Sequence, residues 1–458
     1  MRSLKFLLLP ILAVAVIAAA FALPTKEIAP RAPRSVTVTQ SSYACPTVGG
    51  TTVATGRVAT HRESRATAMA LPAKSPIDAL TPVDRWNDAS AGDAQSVVVS
   101  TTDARGAGAV GFFGAMASGK DGGGLGVGRC PGVVQDAWYV GGGSGAKHFS
   151  TLTLTNLSDS TAVADISLWG KEGIVDAVNS DGIVLDARET RRITLDSLAA
   201  GEPELAVHVQ SRRGALSVAM RDTSTAVFGG TEPLAETKAP ARQQIIAGIA
   251  SGTANRQLIT LNPGDTTARV KIEALGKDGT FVPAGLDGVK VPAGKVGVIN
   301  LPKAVGAGAV ALRLTADQPL SASVRTAPTN KDFAYAVAGQ PLVGPAIAPL
   351  SIGDVLRDAR LLLTAPGTKA DVTVTAYDAK MTKQGSVDVR INAGSTVSYD
   401  LGQKGIFDQP LGDLAYVVVT SSGQVQGAAL YSRGDALSAL PLATAPLKTL
   451  APQVRLGR

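Results

Sequence analysis

The segment ADISLWGKEG, which spans Ala164 to Gly173, comes back twice further along the chain. It returns as VKIEALGKDG from Val270 to Gly279 and as VTVTAYDAK from Val372 to Lys380. In each copy apolar and polar residues tend to alternate, which is the pattern of a strand with one buried face. Because a segment that recurs at a regular interval indicates a repeated structural unit, this repeat decides the architecture of the chain.

A second segment recurs in step with the first. It reads LDARETRRITL from Leu185 to Leu195, VPAGKVGVINL from Val291 to Leu301 and INAGSTVSYDL from Ile391 to Leu401. Since the two segments keep nearly the same separation in all three copies, whole units are repeated rather than one motif. We therefore expect the three units to fold in the same way.

The turns and the number of strands in each unit favour a β-sandwich. Asn156 and Asn262 stand at equivalent turns, where an asparagine side chain bonds its own backbone. Six or seven short strands in about 100 residues are typical of an immunoglobulin-like sandwich, with a small barrel as the alternative. We predict an all-β protein of tandem immunoglobulin-like β-sandwich domains after one N-terminal transmembrane or signal helix, with repeats at residues 132–230, 245–338 and 346–445.

The N-terminus has the composition of a targeting segment. Arg2 and Lys5 precede an apolar run from Phe6 to Leu23, so residues 1–23 are predicted to be a cleaved signal peptide or a retained transmembrane anchor. In both cases the basic residues stay inside and the rest is exported, either secreted or held by a single membrane pass. Residues 24–35 contain three prolines and are predicted to be an extended linker.

The chain contains two cysteines, Cys45 and Cys130. In an exported protein such a pair is most simply a disulfide. Residues 36–131 also contain strand-like segments, so we predict a disulfide-stapled N-terminal β-domain there. Whether this domain is a degenerate fourth copy of the repeat stays open at this point. We expect reduction of the disulfide to destabilise this domain alone.

The charge pattern argues against a nucleic-acid-binding protein. The formal net charge is +7, with 18% charged and 4% aromatic residues. Nucleic-acid binding needs a denser basic face with stacking aromatic side chains. The pairs Arg191-Arg192 and Arg212-Arg213 come nearest to a basic cluster. We interpret them as solvated strand faces.

Several features together give the chain a family resemblance. Each cysteine is followed by proline, Trp138 follows the second pair in CPGVVQDAWYVGGG, and a turn of the type Asn262-Pro263 lies downstream of the apolar N-terminal segment. In these features the chain resembles a family of actinobacterial exported or membrane-anchored proteins that is classed as a domain of unknown function. The resemblance implies a location in the cell envelope and an array of β-sandwich domains, and it brings no catalytic residues.

Two short motifs resemble catalytic sites but lack parts that the chemistry needs. GAMASGKD, from Gly114 to Asp121, has the spacing of a phosphate-binding loop, but Asp121 stands where the magnesium-binding hydroxyl belongs. Ser144 and Lys147 have the spacing of penicillin-binding enzymes, but a strand pattern follows where a helix is required. We therefore predict no catalytic residue and no cofactor.

Histidine and tryptophan positions give the remaining candidates for a site. The histidines His61, His148 and His208 lie in separate segments without a second ligand at metal spacing, so no metal site is predicted. The tryptophans are candidates for glycan platforms if their rings are exposed, and packing in the core is the alternative. These tryptophans are Trp138, Trp169 and Trp86.

The sequence predicts a non-catalytic extracytoplasmic protein of the cell envelope. Short proline-containing segments join the repeats, so we expect a rod of β-sandwich domains that binds an envelope protein or a cell-wall glycan, or acts as a spacer. The alternative is an enzyme that acts on cell-wall polysaccharide, or its accessory carbohydrate-binding module. The membrane is reached through the N-terminal segment, and no nucleic acid is involved in either hypothesis.

Overall fold

A computed structural model of the chain describes residues 34–58, 65–102, 107–117, 123–225, 229–328, 331–402, 405–410 and 413–451. The predicted signal peptide or anchor at 1–23 lies outside these residues, as does nearly all of the predicted linker at 24–35. Among the residues described, no helix is long and apolar enough to cross a membrane.

The chain divides into two compact units. One consists of Met1–Val36 with Lys448–Arg458, and the other of Thr37–Leu447. In the smaller unit strand β1, Arg34–Thr37, pairs with the last strand of the chain, Lys448–Ala451. The larger unit contains four modules of two antiparallel sheets each, which we number 1 to 4 in chain order.

Module 1 contains the predicted disulfide. Its strands are β2 (Ser41–Pro46), β3 (Thr52–Arg57), β4 (Arg65–Leu71), β5 (Ser75–Pro76), β6 (Asn87–Ser90), β7 (Ser96–Thr102), β8 (Ala109–Ala117) and β9 (Gly124–Arg129), with a 3₁₀ helix at Asp78–Leu80. The sheet orders are β2-β7-β4-β5 and β6-β3-β8-β9. Cys45 on β2 is bonded to Cys130, just after β9, and both residues are buried. The predicted pairing is confirmed.

Module 2 begins the repeated part of the chain. Its strands are β10 (Asp136–Val140), β11 (Ser144–Gly145), β12 (His148–Asn156), β13 (Ala162–Trp169), β14 (Ile174–Val175), β15 (Ile183–Leu185), β16 (Thr190–Thr194), β17 (Ala206–Arg213), β18 (Leu216–Ser224) and β19 (Gly230–Leu234), with a 3₁₀ helix at Leu195–Ser197. One sheet has the order β10-β17-β13-β14, with β15 also beside β13. The other has the order β11-β12-β18-β19, with β16 beside β12.

Module 3 differs from its neighbours because one long strand runs through both sheets. Its strands are β20 (Ala241–Ile249), β21 (Asn255–Asn262), β22 (Ala268–Gly276), β23 (Gly279–Phe281), β24 (Val289–Val291), β25 (Lys295–Asn300), β26 (Val310–Ala327) and β27 (Ala334–Val337), with a 3₁₀ helix at Lys303–Gly306. Strand β26 pairs first with β20 and β22, and then with β21 and β27.

Module 4 has the same strand order as module 1. Its strands are β28 (Ala346–Pro349), β29 (Asp358–Ala365), β30 (Ala370–Tyr377), β31 (Lys383–Ile391), β32 (Ser395–Asp400), β33 (Tyr416–Ser421), β34 (Gln426–Arg433) and β35 (Ala436–Pro441). The sheets are β28-β33-β30-β31 and β32-β29-β34-β35. Numbered from the first strand of the module, both modules read 1-6-3-4 and 5-2-7-8. This identity supports the interpretation of module 1 as a fourth copy of the unit.

The recurrent segments occupy equivalent places in the modules, and the all-β class is confirmed. The first segment forms β13, β22 and β30, each of which pairs at the centre of its sheet. The turns also match. The Nδ2 atom of Asn156 donates to the carbonyl of Ser160 at 2.6 Å, and that of Asn262 to Thr266 at 2.9 Å. Each Oδ1 accepts from the N–H two residues later, so the predicted turn chemistry is confirmed.

The four modules contact one another in cyclic order. Trp86 of module 1 and Tyr416 of module 4 lie in one apolar cluster, and Ile259 of module 3 lies in the cluster of module 2. Strand β9 contacts β19 and β35, and β27 contacts the same two strands. This differs from the end-to-end rod that the proline-containing segments predict. Alternation along a strand shows that one face is buried, but it does not show what covers that face.

Removal of the disulfide should therefore weaken the modules together. The loop closed by Cys45 and Cys130 is worth about 4 to 5 kcal/mol in the chain-entropy model. Because module 1 shares an apolar cluster with module 4, we expect Cys45→Ala with Cys130→Ala to lower one common unfolding transition, rather than to loosen module 1 alone. Differential scanning calorimetry measures this. A separate early transition with about a quarter of the enthalpy would contradict the expectation.

Candidate functional site

A cavity of about 840 Å³ lies where the four modules meet. Phe113 of module 1, Tyr139 of module 2, Val337 of module 3 and Leu440 of module 4 all line it. Pockets that hold small ligands have volumes in the range of about 300 to 1,000 Å³. The position and size of this cavity make it the leading candidate for a binding site.

The segments that join the modules form part of the cavity wall. Thr237 donates its backbone N–H to the carbonyl of Trp138 at 2.8 Å, and Lys238 donates to Ala338 at 2.7 Å. These two bonds fix the segment after β19 between modules 2 and 3. The neighbouring residue, Glu236, is thereby placed on the wall of the cavity.

Two large apolar side chains on the cavity lining are unusually exposed. Val343 has 87% of its surface accessible to solvent, and Val133 has 55%. Single exposed apolar residues are common, but here both adjoin a cavity with mainly apolar walls. Both side chains therefore add exposed apolar surface to the cavity lining.

Three of the four charged side chains that line the cavity are engaged within the protein. Arg129 donates to two backbone carbonyls of the segment after β35, at 2.9 and 3.3 Å. Asp136 accepts a bond from His208 at 2.9 Å, and Lys238 donates to a carbonyl at 3.4 Å. The fourth is Glu236. Among the described residues, no hydrogen-bond donor or cation lies within bonding distance of its carboxylate.

The surroundings of Glu236 favour the uncharged acid. Glu236 is exposed to solvent as a residue, but partial desolvation of its carboxyl group raises its pKa to about 7. Desolvation acts unopposed there, because no neighbouring donor stabilises the carboxylate. An acidic group with such a pKa in a cavity is a frequent feature of functional sites.

Two of the three predicted glycan platforms are covered by protein. Trp86 is 5% exposed, its ring stacks with Phe112 and Tyr416, and its Nε1–H donates to the carbonyl of Ser351 at 3.0 Å. Trp169 is 9% exposed and belongs to the core of module 2. A sugar ring needs a free aromatic face, and neither indole offers one in this structure.

The third tryptophan lies beside the cavity. Trp138 is half-buried, and its ring stacks on His208 with ring centroids 3.9 Å apart. It also stacks with Trp169 at 5.7 Å. Of the three predicted platform residues, Trp138 is therefore the one that the structure places at the candidate site.

A histidine and an aspartate form the centre of a polar network between modules 2 and 3. The Nε2 atom of His148 lies 2.9 Å from Asp222, and its Nδ1 atom lies 2.9 Å from the carbonyl of Pro203. Both partners accept hydrogen bonds only, so both ring nitrogens donate and the ring carries a charge. Burial alone would lower the pKa of His148, but the charge of Asp222 and the bond to it outweigh burial and raise that pKa.

The other members of this network cross the boundary between the modules. Asp222 accepts from the hydroxyl of Ser150 at 2.6 Å and from Tyr335 of module 3 at 2.8 Å. Arg325 of module 3 donates to both carboxylate oxygens of Glu204, at 2.6 and 3.3 Å. Every acidic group here is occupied by protein partners. The network resembles a structural ion-pair cluster more than an acid-base catalyst.

Two buried carboxyl groups join all four modules near the candidate site. Asp332 of module 3 accepts N–H bonds from Leu125 of module 1 at 3.0 Å and Leu437 of module 4 at 2.9 Å. Glu232 of module 2 accepts bonds from Ser438 and Ala439 of module 4, at 2.8 and 3.0 Å. We call Asp332 and Glu232 the junction carboxyls. Burial raises the pKa of Asp332 to about 7 and that of Glu232 well above its ordinary value.

The two motifs that resemble catalytic sites lie in strand surroundings. Gly114 belongs to β8, and residues 118–121 of the phosphate-loop motif lie outside the described residues. Ser144 is buried on β11, where its hydroxyl accepts the backbone N–H of Glu202 at 3.0 Å. The serine is therefore part of a strand rather than the start of a helix.

The histidines do not converge. His148 and His208 belong to separate pairs with aspartates, and His61 lies outside the described residues. Within the described part of the chain, no group of three or more His, Cys, Asp or Glu side chains is arranged to hold a metal ion. Cys45 and Cys130 are joined to each other.

The fold and the cavity together define an all-β protein of four two-sheet modules around a shared pocket. A family model matches residues 87–402, from the start of β6 in module 1 to just beyond β32 in module 4. The chain therefore belongs to the family of unknown function DUF5719. No curated protein is similar enough to the chain to count as a relative. The resemblance of the sequence to a family classed as a domain of unknown function is confirmed in this respect.

Sequence reasoning missed the cavity and Glu236. The residue stands in the proline-containing segment after β19, which the sequence predicts to be a simple joining segment. Glu232 belongs to the same predicted joining segment, and the structure shows it on β19, where it shares a buried face with Gly230 and Leu234. An acidic residue on a buried strand face indicates a specific partner.

We expect His148 to make stability fall as the pH rises. Its raised pKa means that its contribution is fully present below its ordinary value of about 6.5 and is lost as the pH rises through the folded-state pKa. His148→Gln should remove this part of the decline above about pH 6.5, measured by urea unfolding. His208→Gln, which alters the more exposed pair with Asp136, is the control. An unchanged decline in His148→Gln would count against the charged ring.

We expect Asp332→Ala to destabilise the whole larger unit. Three buried backbone N–H groups lose their acceptor, and each such loss costs about 1 to 3 kcal/mol. Asp435→Ala is the matched control, because Asp435 and its ion-pair partner Lys331 are both exposed to solvent, where such pairs contribute little. The loss from Asp332→Ala should be larger at pH 5 than at pH 8, since the raised pKa makes this acid lower stability progressively from its ordinary value of 3.8 up to about 7. Equal unfolding free energies for the two variants would contradict this role.

Proposed function

We propose that the protein is a non-catalytic binding protein of the cell envelope, and that it holds its ligand or partner in the cavity shared by its four modules. The observation that carries the proposal is the cavity itself, about 840 Å³ in volume and lined by every module. The buried acidic and basic groups nearby are engaged in joining the modules. These groups support the walls of a pocket and do not form a set of reacting groups.

The location in the envelope is supported by two features of the chain. The apolar run from Phe6 to Leu23 after Arg2 and Lys5 is typical of a signal peptide or a membrane anchor. The disulfide belongs to an oxidising compartment, such as the space outside the cytoplasmic membrane. An actinobacterial source would agree with the family resemblance of the sequence.

The modules are proposed to be variants of the immunoglobulin-like sandwich. In module 4 the second strand β29 pairs with the fifth strand β32, and the third strand β30 pairs with the sixth strand β33, as B pairs with E and C with F in an immunoglobulin domain. The first strand β28, however, lies beside the sixth, and the seventh strand β34 beside the second. An immunoglobulin domain has these two strands the other way round.

The alternative function is an enzyme that acts on cell-wall polysaccharide, or its carbohydrate-binding module. One observation favours it, namely that Trp138 and the Glu236 carboxyl both lie on the cavity lining. A glycosidase of the usual kind needs a pair of carboxyl groups across the bond to be cleaved. Glu236 has Asp136 on the same lining, but Asp136 is already paired with His208.

Cell fractionation tests the location. We expect the chain in the membrane or extracellular fraction, with Cys45 and Cys130 protected from thiol-specific labelling until a reductant is added. Intact mass spectrometry then shows whether residues 1–23 are retained. Recovery of the chain in the cytoplasm with both thiols reactive would overturn the proposal of an envelope protein.

Incubation of the purified chain with cell-wall polysaccharide tests the non-catalytic part. We expect no release of soluble fragments above the background of heat-denatured protein. The matched variants are Glu236→Gln and the exposed Glu172→Gln. Turnover that Glu236→Gln abolishes and Glu172→Gln keeps would replace the proposal with the enzyme alternative.

A further inference from the structure

We propose that a second cavity, which lies between modules 1 and 2, binds one small organic carboxylate at Arg221. We call it the Arg221 cavity, and its volume is about 60 Å³. One enclosed water molecule needs roughly 10 to 15 Å³, so the cavity has room for an acid of the size of propionate but not for a long chain. The proposal goes beyond the function proposed above, which concerns the larger cavity.

Arg221 is half-buried on the lining of this cavity, and its charge is not matched within the described residues. Its Nε atom is closed off from solvent and has no hydrogen-bond partner. Burial lowers the pKa of Arg221, and the like charge of Arg192 lowers it further. A desolvated guanidinium without an acceptor is costly, so this position is suited to an anion from outside the chain.

Module 3 shows which kind of anion an arginine at this position binds. Arg221 ends the segment LSVAMR, Arg325 ends the segment LSASVR, and each lies opposite the residue five positions before its turn asparagine. The two arginines are therefore equivalent in the repeat. Arg325 donates to both carboxylate oxygens of Glu204, at 2.6 and 3.3 Å, and this carboxylate comes from the preceding module.

The boundary of modules 1 and 2 has no such acid among the described residues. Glu204 stands two residues before β17, and Ala94 stands two residues before β7, which has the same place in the sheet of module 1. Ala94 lies at the boundary, because the carbonyl of the next residue, Gln95, accepts a bond from Arg192 of module 2 at 3.0 Å. Alanine therefore replaces the acid that would meet Arg221.

The two boundaries are alike in a further contact. Ser323 of module 3 donates its hydroxyl to the carbonyl of Val140 in module 2 at 2.6 Å. The equivalent residues of modules 2 and 1 are Ala219 and Pro46, and both line the Arg221 cavity. A carboxylate bound in this cavity would therefore occupy the place that an acidic side chain has at the other boundary.

The remaining lining favours an organic acid over an inorganic anion. A guanidinium can bind a carboxylate through two parallel hydrogen bonds. Apolar walls suit the ethyl group of propionate, whereas phosphate would lose its hydration against them. These walls include Val48, Phe113, Ala115 and Met220.

Isothermal titration calorimetry tests the proposal on the full-length chain in nanodiscs of zwitterionic lipid, with empty nanodiscs as the blank. The probes are propionate, its neutral isostere propionamide, and inorganic phosphate. We expect one propionate per chain with a Kd of about 1 mM or lower, and at least about tenfold weaker binding of the other two probes.

Two variants locate the ligand. Arg221→Met should weaken propionate at least about tenfold, whereas Arg390→Met, at an exposed arginine on β31, should leave its binding unchanged. Ala219→Leu should also weaken propionate, because the added side chain fills the cavity. Ala307→Leu is its control, since Ala307 is exposed and lies away from the cavity.

Scanning calorimetry adds a test that does not depend on affinity. Without ligand, Arg221→Met should unfold at the same temperature as the parent chain or higher, because the arginine has no partner among the described residues to lose. About 20 mM propionate should raise the unfolding temperature of the parent and not that of the variant, with equal sodium chloride as the reference.

Each outcome decides the inference. No propionate binding above the blank overturns it, as does equal binding by Arg221→Met and the parent chain. Tighter binding of phosphate than of propionate overturns the assignment of a carboxylate, and intact binding in Ala219→Leu places the ligand elsewhere. A lower unfolding temperature of Arg221→Met without ligand shows that the arginine serves the fold, and also overturns it. Fractionation and incubation with cell-wall polysaccharide test the proposed function separately.

Discussion

The larger unit depends on the hydrogen bonds that backbone N–H groups donate to the junction carboxyls. Asp332 binds modules 1 and 4 to its own module 3, and Glu232 binds module 4 to module 2. A buried acid without partners is costly, so these groups favour only the arrangement in which all the modules meet. Gly124 and Gly230 leave room for the Asp332 carboxylate, with which a Cβ at either position would collide. Both glycines also have positive φ angles, of 145° and 122°.

The cavity is a consequence of this closure. Its walls come from strands and joining segments of all four modules, so no module contains the site by itself. The ion pair of Arg325 with Glu204 holds modules 2 and 3 together, and Trp86 with Tyr416 holds modules 1 and 4 together. A ligand that binds the closed arrangement alone must stabilise every one of these contacts by mass action. For such a ligand, binding and assembly of the modules would be coupled.

The features that could be predicted from the sequence are local ones. The alternation of apolar and polar residues predicted the strands, the recurrent segments predicted equivalent modules, and Asn156 and Asn262 predicted the turns. Each of these features depends on residues that are neighbours in the chain. The disulfide between Cys45 and Cys130 followed from the number of cysteines. The contacts between modules could not be predicted, because a buried face looks the same whether a partner sheet or another module covers it. Trp86 illustrates this, since its burial depends on Tyr416 more than 300 residues away.

Glu236 and the junction carboxyls show why an altered pKa does not by itself identify a functional residue. Desolvation raises the pKa of Asp332 and of Glu236 to about the same value, although Asp332 is buried and Glu236 is exposed. Asp332, however, accepts three backbone N–H groups and is closed off from solvent, whereas Glu236 faces a cavity that solvent enters. The hydrogen bonds of the Asp332 carboxyl are formed within the folded protein. The Glu236 carboxyl accepts no hydrogen bond from the described residues and is left to solvent, so a raised pKa accompanies a structural acid in one case and an accessible one in the other.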